Sequence, residues 1–126
     1  MSILSTLQTV LGNASKTTVE DYHKLLESVL IEGESAEQAF KTFRDLIIFT
    51  NFRLMIIDIQ GAGVKKSFKS VPYSHISVFD KNTAGTVDIN SEVVIYLRDH
   101  EPLKLQFSRG KNIDVVYKLL ARKVLG

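Results

Sequence analysis

The stretch Arg44–Gly61, RDLIIFTNFRLMIIDIQG, constrains the fold more than any other part of the chain. It holds two apolar runs, Leu46–Phe49 and Leu54–Ile57, separated by Thr50-Asn51-Phe52-Arg53. Each run is too short for an ordinary helix and is rich in β-branched and aromatic residues, so both read as strands. Asn51 tolerates the left-handed backbone of a tight turn, which makes the pair an antiparallel hairpin. A half-buried strand alternates apolar with polar residues, whereas here both parities are apolar. These strands are therefore expected to be covered on both faces.

With 126 residues the chain is one domain, large enough to bury a core, and its 44% hydrophobic and 24% charged residues are those of a globular protein. It contains no cysteine, which rules out disulfides, thiolate nucleophiles and thiolate metal sites. The N-terminus, MSILSTLQTVLGN, lacks a basic leader, and no stretch approaches the ~20 apolar residues of a membrane span, so a cytoplasmic location is expected. The net charge of +2 is unevenly placed. Residues 1–37 carry two basic and six acidic groups, a net of −4; residues 38–126 carry fourteen basic and eight acidic groups, a net of +6. Two solvated surfaces account for this, as does a basic body facing an anionic partner or the acidic segment of a second copy.

Helical spacing of Ile3, Leu4, Leu7, Val10 and Leu11 suggests a short helix over residues 2–11. A second helix is expected from a capping box at Thr17, Thr18 and Glu20, with Val19, Tyr22, Leu26, Val29 and Leu30 as its apolar stripe and Gly33 as its stop. From Ala36 the pattern is that of strands: Ala36–Phe43, the two central runs, Val64–Val71, His75–Phe79, Val87–Leu97 (with a break near Asn90-Ser91) and Leu103–Phe107. Turns are expected at Gln60–Gly63, Asp80–Gly85 and Asp99–Pro102. Asn112 then caps a last helix whose stripe is Ile113, Val116, Leu120 and Val124. Asp114 near its start and Arg122 and Lys123 near its end suit the helix dipole.

Seven strands closed by one amphipathic helix is the outline of the pleckstrin-homology (PH) superfold. Within it, RDLIIFTNFRLMIIDIQG, KKSFKSVPYSHI (Lys65–Ile76) and TAGTVDIN (Thr83–Asn90) resemble the bacterial pleckstrin-homology family in order and spacing. The resemblance covers about residues 34–126. It implies a mainly β, PH-like fold: a seven-stranded, strongly bent antiparallel sheet, or partly open barrel, plugged by the C-terminal helix. Residues 1–33 are then an N-terminal helical extension and 34–126 the PH-like domain.

Nothing assembles a catalytic centre. His23, His75 and His100 have no metal-ligand spacing, and no phosphate-binding or nucleophile motif occurs. No enzyme activity, metal or cofactor is expected. Lys65, Lys66, Lys69 and Lys81, with Arg53 nearby in strand order, are candidates for an anion- or lipid-binding patch, although lysines also protect an edge strand from aggregation. Eukaryotic PH domains that take phosphoinositide headgroups use basic residues around the first strand-to-strand loop. Here that junction, Phe43-Arg44-Asp45-Leu46, is short and carries an acid, which speaks against such recognition. Nucleic acid is not expected, because aromatic and basic residues are not interleaved.

One C-terminal helix can plug a barrel end but cannot also cover the outer face of three strands. Ile47, Phe49, Met55, Ile57, Val94 and Tyr96 are the residues expected on that outer face. Either the N-terminal helices cover it through Val19, Tyr22, Leu26 and Val29, or a second copy does. The first function class is accordingly a non-catalytic module that self-associates and mediates protein–protein contacts. Ring-like homo-oligomers are what the resemblance implies. The alternative is a peripheral anionic-lipid or phosphate-binding module on a membrane surface.

Overall fold

The computed structural model describes residues 16–42, 45–58, 67–83, 90–108 and 113–126. The expected helix over 2–11, the Gln60–Gly63 turn and the capping Asn112 lie outside the described residues. An N-terminal helix, α1 (Lys16–Glu27), precedes β1 (Ala36–Lys41), β2 (Asp45–Thr50), β3 (Arg53–Asp58) and β4 (Ser67–Pro72). A 3-10 turn at Tyr73–His75 leads into β5 (Ile76–Thr83), β6 (Asn90–Leu97) and β7 (His100–Ser108), and α2 (Ile113–Leu125) follows. The strands form two antiparallel sheets, β1-β2-β3-β4 and β5-β6-β7, so the bent sheet expected from the sequence is split at the β4–β5 corner.

The doubly apolar hairpin separates two hydrophobic clusters. On its inner face Ile47, Phe49, Leu54 and Ile56 meet Val93, Ile95, Leu105 and Phe107 of the second sheet and Ile113, Val116 and Leu120 of α2. On its outer face Leu46, Ile48, Met55 and Ile57 meet Ala36, Ala39, Tyr22 and Leu26, with Leu25, Val29 and Leu30 packed at the side. The chain's own helix thus covers the outer face of the first sheet. Leu26 is fully buried there, which contributes ~1.5–3 kcal/mol before entropy is subtracted.

Ile47 and Phe49 were expected outside with Met55 and Ile57, but the register places them in the central core. The strands are joined through two residues, Asn51 and Phe52, and Ile47 stands opposite Ile56 while Ile48 stands opposite Met55. Odd-numbered positions on β2 therefore share a face with even-numbered positions on β3.

The hairpin turn also differs from expectation. The non-glycine residue with positive φ among those described is Asp99, so Asn51 is not left-handed. The Thr50 hydroxyl makes the turn, accepting the backbone N–H groups of Phe52 (3.1 Å) and Arg53 (2.9 Å). Asn51 instead ties the turn to the N-terminal segment. Its Oδ1 accepts from Ser35 N (2.8 Å) and its Nδ2 donates to Gly33 O (2.9 Å).

Other boundaries move as well. Thr17 and Thr18 lie within α1, and the helix ends at Glu27, ahead of Gly33. Gly33 sits in the following turn at φ +83°, where its missing Cβ is needed. β5 continues to Thr83, through the start of the expected Asp80–Gly85 turn, because its residues stay paired with β6 as far as Thr83–Ser91. β6 is unbroken from Asn90. The turn before β7 shrinks to Arg98-Asp99, with His100 and Pro102 in the strand. Asp99 supplies the left-handed residue at φ 56°, a conformation that a short polar side chain tolerates. His75, expected to open a strand, belongs to the 3-10 turn.

Candidate functional site

Of the basic residues singled out in the sequence, Arg53, Lys69 and Lys81 are among the described residues. Lys65 and Lys66 lie outside the described residues. Arg53 is consumed internally: Nε and Nη2 each donate to Glu34 at 2.8 Å, Nη2 also to Val29 O (2.8 Å), and Nη1 to Ser70 Oγ (2.9 Å). Glu34 accepts a third side-chain donor, the Thr50 hydroxyl, at 2.7 Å, and the backbone N–H of Ile31 at 3.2 Å. Burial pushes the Glu34 carboxyl up, but the bonds from Arg53, Thr50 and Ile31 and the guanidinium charge outweigh it and hold it below 4.5. Tyr73 closes the network: its hydroxyl is shared between Thr50 O (2.7 Å) and Arg53 O (2.9 Å), and burial, reinforced by Glu37, raises its pKa.

Lys81 is likewise engaged. Its Nζ donates to Asp114 at 2.8 Å and lies 5.6 Å from the ring centre of Tyr117, so it fastens β5 to the first turn of α2. The hydrogen bond from Lys81, with its charge, lowers the pKa of Asp114. Arg53 is thus paired in a partly buried network, while Lys81 is paired at an exposed surface. Lys69 remains exposed on β4.

Lys69 belongs to a different basic cluster. A cleft of about 320 Å³ is lined by Lys69, Ser70, Val71 and Pro72 of β4, by His75 of the 3-10 turn, and by Leu97, Arg98, Asp99 and His100 around the β6–β7 turn. Its two walls are tied by one backbone bond, Arg98 N donating to His75 O at 3.2 Å. His100 Nδ1 lies 2.7 Å from Glu101 O, which fits a proton on Nδ1 and leaves Nε2 as the other ring nitrogen. A second cleft of about 200 Å³ is more mixed in charge, with Asp45 and Asp58 beside Lys69 and Lys104.

The outer face of the second sheet carries the remaining candidates. Val94 and Tyr96 lie there as the strand parity implies: Val94 stands opposite Asp80 and Lys104, and Tyr96 opposite Val78. Val94 is buried among these neighbours, while Tyr96 and Val78 are 36% and 53% exposed. Asp80, diagonal to Tyr96, raises its pKa through charge and a hydrogen bond. In the N-terminal helix and its exit, Tyr22, Leu26 and Val29 pack on the first sheet as described, whereas the side chain of Val19 lies outside the described residues.

His23 lies 3.1 Å from Glu27 through Nε2, one helical turn away. Among the described residues no group of three or more His, Asp or Glu is placed to hold a metal ion. No helix among them is long and apolar enough to cross a membrane. Sequence reading missed His75, Arg98 and His100 as partners of Lys69, because only the β4–β5 corner and the β6–β7 turn bring them to one cleft.

A β-rich fold of two antiparallel sheets closed by a C-terminal helix is that of a binding module. The chain belongs to the bacterial PH domain family, whose profile it matches over residues 5–124. That match runs across the boundary at residue 33 suggested by the sequence pattern, in keeping with the shared cluster of α1 and the first sheet. The chain is 42% identical to the uncharacterized protein YjqA of Bacillus subtilis (strain 168) over 115 residues, covering 89% of this chain and 92% of that one. It is 30% identical to the uncharacterized protein YozO of the same strain over 99 residues, covering 79% and 86%. Among solved structures, the pleckstrin homology domain from Shewanella amazonensis SB2B superposes with a TM-score of 0.74 at 38% identity, covering 92% of this chain and 95% of that one.

Proposed function

We propose that this chain is a non-catalytic PH-like interaction module that self-associates and mediates protein–protein contacts. The observation that carries the reading is the cross-strand pair Val78–Tyr96, two sizeable apolar surfaces side by side and open on the outer face of the second sheet. The equivalent face of the first sheet is covered by α1, so association through Met55 and Ile57 is not part of the proposal. Apolar groups flanked by Asp80, Glu92 and Lys104 have the make-up of an interface core with a charged rim. The lipid alternative has less support, because Arg53 and Lys81 are engaged within the fold.

Light scattering after size exclusion tests this. The wild-type chain is expected above its 14.2 kDa monomer mass, and Val78→Asp combined with Tyr96→Asp is expected to lower it. A wild-type monomer, or an assembly unmoved by the double variant at unchanged melting temperature, overturns the reading.

A further inference from the structure

We infer that the cleft between the β4 edge and the β6–β7 turn takes an extended acidic peptide segment as an added strand. This deepens the interaction-module reading by naming a partner at a site separate from the Val78–Tyr96 face.

β4 is the last strand of its sheet: it pairs with β3, and among the described residues no strand pairs with its other side. A strand face would contribute every second residue to a cleft, because side chains alternate. Here four consecutive residues, Lys69–Pro72, line it. The wall is therefore the strand edge itself, with its backbone donors and acceptors, as far as Pro72, which has no N–H to offer. The opposite wall, Leu97–His100, is also continuous chain. A space bounded on one side by an unpaired ladder accommodates an extended backbone.

The side chains specify the charge of the occupant. Val71, Pro72 and Leu97 give the cleft apolar surface, while Lys69, Arg98 and the two imidazoles of His75 and His100 surround it. Asp99 is the acid among the lining residues. Alternating apolar and carboxylate side chains on a bound strand would meet the two kinds of surface in turn. Among the described residues Lys69 and Arg98 have no ion pair comparable to Arg53–Glu34, and no strand pairs with the outer edge of β4.

The probe is a fluorescein-labelled peptide of alternating glutamate and valine, about six residues long to match β4. It is titrated into the full chain by fluorescence anisotropy, with amide NMR shifts recorded alongside. Binding is expected to shift amides over Ser67–Val71 and Leu97–His100. Lys69→Glu and Arg98→Glu, both at exposed positions, are each expected to weaken it about tenfold. The same peptide with alternate backbone amides methylated keeps its charge but cannot pair as a strand, and is expected to bind at least about tenfold more weakly. Equal binding of both peptides overturns strand addition in favour of simple charge attraction, and absence of binding overturns the proposal outright. Binding of phosphatidylglycerol vesicles lost in Arg98→Glu, with no peptide binding, assigns the cleft to a membrane instead. A fall in solution mass in Lys69→Glu assigns it to a second copy. Loss of the Val78–Tyr96 assembly with peptide binding retained sinks only the earlier reading.

Discussion

Arg53 grips Glu34 through two parallel hydrogen bonds of 2.8 Å, which tie the start of β3 to the chain just ahead of β1. The Glu34 side chain is fully buried, whereas that of Arg53 keeps 22% of its surface exposed. Their costs on removal should be unequal for that reason. Arg53→Ala leaves a buried carboxylate with the Thr50 hydroxyl as its remaining side-chain donor, and is expected to destabilise by ~3–5 kcal/mol. Glu34→Gln leaves a guanidinium that still bonds Val29 O and Ser70 and reaches water, so a smaller loss is expected. Urea denaturation of both variants checks the order.

The same pair predicts an acid limb in stability. Glu34 has its folded pKa held below the ordinary 4.5, so its contribution is complete above about that pH and is lost as pH falls through the folded value. Wild-type melting temperature should therefore drop more between pH 6 and pH 3.5 than that of Glu34→Gln, which has no carboxylate to protonate. Parallel curves for the two proteins would remove Glu34 as a source of the acid limb.

The layer formed by α1 should be felt when it is cut. Leu26→Ala removes a fully buried side chain between the helix and the sheet and is expected to cost ~2–5 kcal/mol by chemical denaturation. Deleting residues 1–31 uncovers Leu46, Ile48, Met55 and Ile57 together, and a lower melting temperature or aggregation is expected. Unchanged mass, stability and solubility of the truncated chain would show that this layer contributes little.

Strand number, the closing helix and the need for a cover over the central hairpin were legible in the sequence because they rest on local pattern. Leu46–Phe49 and Leu54–Ile57 are apolar at every position, so they announce burial on two sides. That uniformity is also why they hide their parity. Which of Ile47 and Ile48 points inward depends on a two-residue turn, whose geometry is set by the Thr50 hydroxyl and not by Asn51. The partners of the basic residues were hidden for a different reason. Charge in a sequence carries no mark of its partner, and Glu34 and Asp114 lie 19 and 33 residues from the cations they hold. His75, Arg98 and His100 meet Lys69 only after the sheet has turned its corner.

The β2–β3 hairpin is a partition shared by two hydrophobic rooms, one closed by α2 and one by α1. Its amide protons should consequently have the slowest exchange clock in the molecule. Fraying of α1 opens only the outer room and leaves the inner ladder packed, so solvent must wait for global opening to reach it. Amides of Leu46–Phe49 and Leu54–Ile57 would then report the stability of the entire chain, while those on the β4 edge exchange through small local motions on a much shorter timescale.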